Sequence, residues 1–143
     1  MRILIKSTIE GEFYGYNDNM LFKLDNGQLW IQDEYKYIYC YSYRPKVEII
    51  NEYGRLYIKP ECMNEKVAVR QVDYFEDNID GNFNGWEGET IFKLQNGQVW
   101  KQDEYDYEYN YDYSPSVLIY DSGYGYRMKV EGIESTIAVK RIK

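Results

Sequence analysis

Carboxylates, tyrosines and tryptophans are the side chains of this sequence that could do chemistry, because histidine is absent. The lack of histidine excludes Ser-His-Asp and Cys-His nucleophiles and histidine-containing metal sites. Two carboxyl pairs, Asp33-Glu34 and Asp103-Glu104, are the candidates for acid–base work. Neighbouring residues on a strand point to opposite faces, which favours a strand bend or a solvated role for each pair. We therefore predict no catalytic residue, no metal site, no cofactor and no enzymatic activity.

Tryptophan supplies the first candidates for a binding surface. An indole exposed beside tyrosines can dock a proline-rich peptide or a sugar, and the alternative is an indole packed under a loop or stacked by a lysine. Trp86 lies in a glycine-flanked loop, where it could contact a ligand or close one end of a barrel. The candidate binding residues are Trp30, Trp100, Lys23, Lys93, Trp86 and its counterpart Tyr16.

Two stretches of the chain place a tyrosine at every second position. Because side chains alternate along a strand, the tyrosines of one stretch all face the same way. The first stretch contains Tyr35, Tyr37, Tyr39, Tyr41 and Tyr43. The second stretch contains Tyr105, Tyr107, Tyr109, Tyr111 and Tyr113. The tyrosines agree between the stretches while the residues between them differ, so we expect the tyrosine side to pack and the other side to meet solvent.

Three arrangements would bury these tyrosines: a core wall within each stretch's own domain, a contact between the two domains, or a dimer interface. Ten phenol rings are too many for two cores of about seventy residues, so we predict a role at an interface. The other side of the second stretch carries Asp106, Glu108 and Asp112. These lack the alternating acids, the glycine and the terminal glutamate of a calcium loop, which favours an acidic face in solvent.

Both stretches belong to one unit that is written twice, since a shift of seventy positions overlays the chain on itself without a gap. Identical pairs include Phe22 and Phe92, Leu24 and Leu94, Gly27 and Gly97, Trp30 and Trp100, Gln32 and Gln102, and Pro45 and Pro115. Such repetition indicates architecture more reliably than local propensity does. It predicts two domains, residues 1–70 and 71–143, and we expect them to pack together because about seventy residues bury a marginal core.

The turn dipeptides Asn26-Gly27 and Asn96-Gly97 predict two-residue hairpin loops with both residues at positive φ. A loop of that length sets the register of its hairpin. The expected pairs are Leu24–Leu29, Phe22–Ile31 and Lys23–Trp30 in the first repeat, and Leu94–Val99, Phe92–Lys101 and Lys93–Trp100 in the second. Lysine and tryptophan would then share one face in both repeats.

The remaining elements also have the composition of β-strands, because glycine and asparagine interrupt short runs of valine, isoleucine, tyrosine and phenylalanine. In the first repeat we expect strands at residues 9–13, 47–49, 56–59 and 66–70, and in the second repeat their counterparts seventy positions later. Pro45 and Pro115 should end the tyrosine strands. The predicted fold is all-β, a tandem of two small SH3-like barrels or rolls.

The net charge of −7 is confined to the second repeat. Residues 1–70 carry ten Lys/Arg and ten Asp/Glu, whereas residues 71–143 carry seven and fourteen. A surface of this sign argues against a nucleic-acid partner, which needs a basic face. It favours a protein partner with a basic surface, and the alternative is that the charge serves solubility alone.

Cysteine usage and the N-terminus indicate a compartment. Cys40 and Cys62 lie in the first repeat, and their counterparts are Asn110 and Gly132. Free thiols in a reducing compartment are expected, with a disulfide between the two as the alternative. Residues 1–6 are too short an apolar run for a signal peptide, and no stretch reaches transmembrane length. We expect a cytoplasmic protein without a membrane partner, unless a leader has been removed.

The stretch from Phe92 to Gln102 resembles the F-x-L-x-N-G-Q-x-W-x-Q hallmark of a family of small bacterial proteins of unassigned function. Phe22 to Gln32 carries the same residues at the same spacing, and residues 138–142 are similar to the last strand of that family. The resemblance implies an SH3-like β-barrel and a bacterial source, and it brings no activity. The chain also looks like the orphan proteins of mobile gene cassettes.

Taken as a sequence, the chain favours a non-enzymatic module for protein–protein interaction or self-association. The grounds are the paired units, the aromatic faces and the missing catalytic groups. The alternative is a small-ligand or carbohydrate-binding module that uses exposed tryptophan and tyrosine side chains.

Overall fold

A computed structural model describes residues 1–143, and every secondary-structure element in it is a β-strand. The prediction of an all-β fold is thereby confirmed. The chain forms two compact units, Met1–Val72 (unit 1) and Asp73–Lys143 (unit 2), and each unit has its own hydrophobic core. No helical segment of the length and hydropathy needed to cross a membrane is present.

Unit 1 contains eight strands. They are β1 (Arg2–Thr8), β2 (Glu12–Tyr16), β3 (Leu21–Lys23), β4 (Leu29–Gln32), β5 (Ile38–Tyr43), β6 (Lys46–Glu52), β7 (Arg55–Pro60) and β8 (Val67–Val72). Six of them form an antiparallel sheet in the order β1-β6-β7-β8-β4-β3, and β2 pairs with β5 in a separate two-stranded sheet. The tyrosine stretch of unit 1 thus runs along the smaller sheet.

Unit 2 contains ten strands. They are β9 (Tyr74–Asn78), β10 (Asn82–Phe83), β11 (Trp86–Glu87), β12 (Ile91–Lys93), β13 (Val99–Gln102), β14 (Tyr107–Glu108), β15 (Asp112–Tyr113), β16 (Ser116–Asp121), β17 (Tyr126–Val130) and β18 (Thr136–Arg141). The large sheet has the order β9-β16-β17-β18-β13-β12, and the short pairs β10–β15 and β11–β14 stand where unit 1 has β2–β5. The tyrosine stretch of unit 2 is therefore interrupted between β14 and β15.

The cores follow from apolar side chains that line up across the large sheets. In unit 1, one such row crosses β6, β7 and β8 and contains Ile49, Ile58 and Val67. In unit 2, the matching row crosses β16, β17 and β18 and contains Ile119, Met128 and Ile137. All six side chains are fully buried, and burying each contributes about 1.5–3 kcal/mol. The strands expected at residues 47–49, 56–59 and 66–70 are present.

The hairpin loop of unit 1 is one residue longer than predicted. Only Gly27 has positive φ, at 88°, and Asn26 does not. The Gly27 N–H donates to the Leu24 carbonyl (3.0 Å) and the Leu24 N–H to the Gln28 carbonyl (2.9 Å). This is a type I turn followed by a left-handed glycine, the usual three-residue hairpin loop.

The longer loop shifts the register of both hairpins, so the predicted pairs are wrong. The observed partners are Lys23–Leu29, Phe22–Trp30 and Leu21–Ile31 in unit 1, and Lys93–Val99, Phe92–Trp100 and Ile91–Lys101 in unit 2. Gly97 takes the role of Gly27, with φ of 91°. A shift of one residue exchanges the two faces of a strand, and tryptophan consequently lies beside phenylalanine rather than lysine.

The strands expected at residues 9–13 and 79–83 are also wrong, because the chain bends there. Gly11 and Gly81 have φ of 70° and 87°, which ends one strand before the next begins. Ile9 and Ile79 are buried and each forms only an isolated bridge, to Leu24 and Leu94 respectively. Pro45 and Pro115 do separate the tyrosine strands from β6 and β16, as predicted.

Candidate functional site

The largest aromatic surfaces of the molecule are two rows of exposed tyrosines. The tyrosine face of unit 1 consists of Tyr35, Tyr37, Tyr39, Tyr41 and Tyr43, which are 50–80% exposed. The tyrosine face of unit 2 consists of Tyr105, Tyr107, Tyr109, Tyr111 and Tyr113, which are 59–83% exposed. The expectation that the tyrosine side packs and the other side meets solvent is therefore wrong, and the rows are not core walls.

In unit 1 the residues between the tyrosines turn inward. Ile38 and Cys40 are half-buried and pack against the hydrophobic core. Their strand pairs with β2, in which Phe13 lies opposite Ser42 on the inner side and Glu12 lies opposite Tyr43 on the outer side. The inner positions are apolar enough to seal the core, which leaves the outer positions to the tyrosines.

A glycine in each unit lets the two strands of the smaller sheet approach. Gly15 of β2 has φ of 104°, and a Cβ at this position would overlap the backbone carbonyl of Ile38. Gly85 has φ of 88°, and a Cβ there would overlap the carbonyl of Glu108. Both glycines stand at the same place in the repeat. This agreement was the signal in the sequence that the position requires glycine.

In unit 2 the inward side of the tyrosine stretch is polar, and the predicted acidic face in solvent is only partly present. Asp106 is exposed, whereas Glu108 and Asp112 are half-buried. The Asp112 carboxylate accepts the N–H of Tyr113 (2.7 Å), and that of Asp106 accepts the N–H of Tyr107 (2.9 Å). Each of these hydrogen bonds gives a carboxylate on the side opposite the tyrosines a backbone partner.

A buried glutamine at the end of the second hairpin strand positions each tyrosine row. The Gln32 amide donates to the carbonyls of Glu34 (2.9 Å) and Lys36 (3.0 Å). The Gln102 amide donates in the same way to Glu104 (3.0 Å) and Asp106 (2.9 Å). Sequence analysis missed this role. Its signal was a glutamine that the repeat preserves within a β-strand.

Contacts within the rows hold neighbouring rings in place. Tyr35 and Tyr37 meet edge to face with centroids 5.1 Å apart, and Tyr105 and Tyr107 do so at 5.5 Å. Such pairs are worth about 0.5–1.5 kcal/mol. The coulombic influence of Tyr105 raises the pKa of Tyr107, and Glu87 adds to the effect. The rings are thus partly ordered before any partner binds.

A carboxylate anchors the unit 1 row at its other end. The hydroxyls of Tyr41 (3.2 Å) and Tyr14 both donate to Glu12, and the two rings lie 5.5 Å apart. The hydrogen bond to Glu12 raises the pKa of Tyr41. In unit 2 the counterpart of Glu12 is Asn82, whose side-chain oxygen accepts the Tyr111 hydroxyl at 3.2 Å. The unit 2 row is therefore held there by a neutral partner.

The predicted binding residues Trp30, Trp100, Trp86 and Tyr16 are buried, with only 2–3% of their surface exposed. The indole N–H groups of Trp30 and Trp100 donate to Gln28 (3.2 Å) and Gln98 (3.0 Å). These side chains close the cores and cannot serve as an exposed platform. Their burial follows from the corrected hairpin register, which turns tryptophan toward the core.

Tyr16 and Trp86 occupy the same place in the two units and bond differently. The Tyr16 hydroxyl donates to the carbonyls of Glu65 (2.6 Å) and Ile58 (3.3 Å), and burial raises its pKa well above the usual range. The Trp86 indole donates to the Asp106 carboxylate at 3.3 Å. Each is a plug of its core, which was the alternative weighed for Trp86.

The two lysines predicted to pair with tryptophan across the hairpin have other partners. Lys23 pairs across the strand with Leu29 and forms an ion pair with Glu10 at 3.2 Å. Lys93 is exposed and pairs across the strand with Val99. Neither lysine lies opposite an indole, since the register differs from the expected one by a residue.

The paired carboxylates diverge, and each pair lies just past the end of a hairpin strand, β4 or β13, rather than within it. Glu34 accepts the N–H of Ala68 (3.2 Å), while Asp33 lies 3.7 Å from Arg70. In unit 2, Glu104 accepts the N–H of Ala138 (3.0 Å), and Asp103 lies 3.8 Å from Lys140. Each glutamate thus accepts a backbone N–H of the last strand of its unit, a structural role.

The thiols of Cys40 and Cys62 are free and close to each other. The Cys40 thiol donates to the Cys62 carbonyl at 3.2 Å. Burial, with a contribution from the Cys40 thiol, raises the pKa of Cys62 to about 11. A thiol with so high a pKa is a poor nucleophile at neutral pH, so Cys62 is not an activated cysteine.

A cleft of about 550 Å³ adjoins the tyrosine face of unit 2. Carboxylates line it, together with Tyr105 and two lysines; the carboxylates are Glu87, Glu89, Asp103 and Glu104. Comparison with known protein families, curated proteins and solved structures finds no match. The resemblance to the bacterial F-x-L-x-N-G-Q-x-W-x-Q family stays a prediction, and the hallmark residues serve here as parts of the hairpin and its anchor.

Proposed function

We propose that this protein is a non-enzymatic interaction module whose tyrosine faces contact a protein partner or a second copy of the chain. One observation carries the proposal: ten tyrosines in two rows keep at least half of their surface exposed. Soluble monomers rarely leave such aromatic patches open without a function, and tyrosine is enriched at the centres of protein interfaces.

The size of each face suits an interface. Five rings of this exposure offer on the order of 600 Å², and each partner of a standard complex contributes about 800 Å². Tyrosine also loses little conformational entropy on binding because it has two side-chain torsions. The ring pair Tyr35–Tyr37 and the pair Tyr105–Tyr107 reduce that loss further.

The alternative, a carbohydrate or small-ligand site on exposed tryptophan and tyrosine, has less support. Trp30, Trp86 and Trp100 lie within the cores, so the exposed tyrosines would have to bind such a ligand without an indole.

The proposal is tested with two row variants, each carrying all five tyrosines of one face as serine. Sedimentation velocity from micromolar to millimolar concentration measures self-association, and fluorescence anisotropy with a mixed-sequence peptide panel measures partner binding. We expect at least one row variant to lose an association that the wild type shows, with circular dichroism unchanged. The proposal fails if the wild type neither self-associates nor binds, or if both row variants behave as the wild type does.

A further inference from the structure

Building on the proposed function, we propose that the tyrosine face of unit 2 binds an extended peptide segment rich in arginine or lysine. The face is an unpartnered sheet surface, since its five tyrosines keep 59–83% of their surface exposed. Its occupant is indicated by charge, because unit 2 carries a net charge of −7 while unit 1 is neutral.

A carboxylate lies directly beside the exposed rings. Glu87 pairs across the strand with Tyr107, so both side chains project from the outer side, while their neighbours Trp86 and Glu108 face inward. An exposed carboxylate next to phenol rings is suited to a cationic side chain, which gains from the ring face and from the charge together.

Two carboxylates of the adjoining cleft form no ion pair. Its ion pairs join Arg127 to Glu104 (2.9 Å) and Lys140 to Asp103 (3.8 Å). Glu87 and Glu89 belong to neither pair, and both are exposed. Lys101 also lines the cleft, so the surplus of negative charge there is modest and lies on the side of the tyrosine face.

Other occupants fit the charge less well. A second copy of the chain presents either a neutral unit or one of net charge −7, and a nucleic acid would be repelled by the same surface. An extended basic segment can place alternate side chains about 6.6–6.8 Å apart, on the scale of rings that recur at every second position.

Unit 1 is the matched control within the same chain. Its tyrosine face has the same five rings, but Asn17 and Asn19 stand where unit 2 has Glu87 and Glu89. Glu12, the carboxylate opposite Tyr43, already accepts two phenol hydroxyls, and residues 17–19 carry one carboxylate, Asp18, where residues 87–89 carry two. A cationic peptide should therefore prefer unit 2.

The test uses the full chain and a fluorescein-labelled peptide of alternating arginine and serine, with citrulline replacing arginine in the neutral control peptide. We expect anisotropy to show binding of the arginine peptide alone, weaker at about 0.15 M salt than at about 0.01 M, since the Debye length falls from about 30 Å to about 8 Å. Equal binding of the citrulline peptide would overturn the inference, and so would no binding of the arginine peptide at low salt.

Two double variants locate the site. Glu87→Asn with Glu89→Asn, which introduces the residues of unit 1, should weaken binding about 2- to 30-fold. Tyr107→Ser with Tyr109→Ser should weaken it about 5- to 30-fold. The control Tyr37→Ser with Tyr39→Ser should leave it unchanged, and an equal loss in that control would overturn the assignment to unit 2.

The outcomes separate this inference from the proposed function. If the tyrosine variants abolish binding of both peptides while the glutamate variant has no effect, the interaction face stands and its cationic partner does not. If the arginine peptide binds and no tyrosine variant affects it, the tyrosine face itself is refuted. The salt dependence and the citrulline control need no variant and remain decisive where a variant fails to fold.

Discussion

The two units share a strand order and a row of tyrosines, but they build the wall behind that row differently. Unit 1 places Ile38 and Cys40 against its core, with Tyr16 as the plug. Unit 2 has Glu108 and Asn110 at the first two positions and the larger Trp86 as the plug. The exposed row is thus independent of how the inner side is made.

The same comparison suggests that plug and wall compensate each other. No residue of β14 or β15 joins the core of unit 2, whereas β5 contributes two to the core of unit 1. In unit 2, Trp86 fills volume that in unit 1 is filled by Ile38 and Cys40 beside the smaller Tyr16. The indole also gives the nearby carboxylate of Asp106 a donor.

The largest loss of stability is expected at the glycine that both units have at the close approach of the tyrosine stretch, Gly15 and Gly85. Gly85→Ala should destabilise unit 2 by more than about 4 kcal/mol, because the new methyl group meets the backbone of Glu108. Gly97→Ala is the control: it also has positive φ but opens onto free space, and should cost about 1–2 kcal/mol. Urea denaturation followed by tryptophan fluorescence measures both, and equal costs would refute the close approach.

Placing the plug of unit 2 in unit 1 tests whether plug and wall compensate each other. Tyr16→Trp should overpack unit 1 and cost about 1–3 kcal/mol. Ile38→Ala should then cost less in that background than in the wild type, since it frees the space that the indole needs. A double-mutant cycle by chemical denaturation measures the coupling, and strict additivity of the two changes would contradict the argument.

Alkaline pH should weaken unit 1 through Tyr16, and unit 2 has no phenol at that place. Burial raises the pKa of Tyr16 above its ordinary value. Above about pH 10 the unfolded phenol ionises while the folded one keeps its proton, so stability falls as pH rises from there. Hydrogen exchange with mass spectrometry resolves the two units.

The control for the alkaline effect is Tyr16→Phe. It should cost about 1–3 kcal/mol at neutral pH, because the carbonyls of Glu65 and Ile58 lose their donor. In return, it should flatten the pH dependence of unit 1 above pH 10. An unchanged slope would show that Tyr16 is not the group responsible.

Cys62 of unit 1 should react slowly in the folded protein. With its pKa raised to about 11, Cys62 has a thiolate fraction at pH 8 about a hundredfold below that of a thiol with pKa 9. Iodoacetamide labelling, followed by peptide mass spectrometry, should show Cys62 protected in buffer and labelled in urea. Equal rates in both conditions would contradict its burial.

The smallest change in stability is expected for substitutions in the two tyrosine faces. Tyr39→Ser and Tyr109→Ser should each change stability by less than about 0.5 kcal/mol, since both side chains lie in solvent. Thermal melting measures this. A loss several times larger in either unit would mean that its row packs after all, and would remove the main support for an interaction face.

Much of the architecture could be predicted from the sequence because the repeat exposed it. The strands around Val47, Ile58 and Val67 are rich in valine and isoleucine, and a proline, Pro45 or Pro115, stands directly before β6 and β16. The hairpin register could not be predicted, because Asn-Gly serves both two- and three-residue loops. That single residue decided whether Trp30 faced a ligand or the core.

The sequence by itself determined that the chain is all-β, that tyrosines share one side of a strand, and that the excess negative charge lies in residues 71–143. Only the tertiary structure decided which side of that strand is open. A tyrosine side chain has an apolar ring that favours burial and a hydroxyl that favours exposure. A tyrosine at every second position therefore does not show which side of the strand is buried. The choice was made by the close approach at Gly15 and Gly85 and by the buried anchors Gln32 and Gln102, which turn the intervening residues inward.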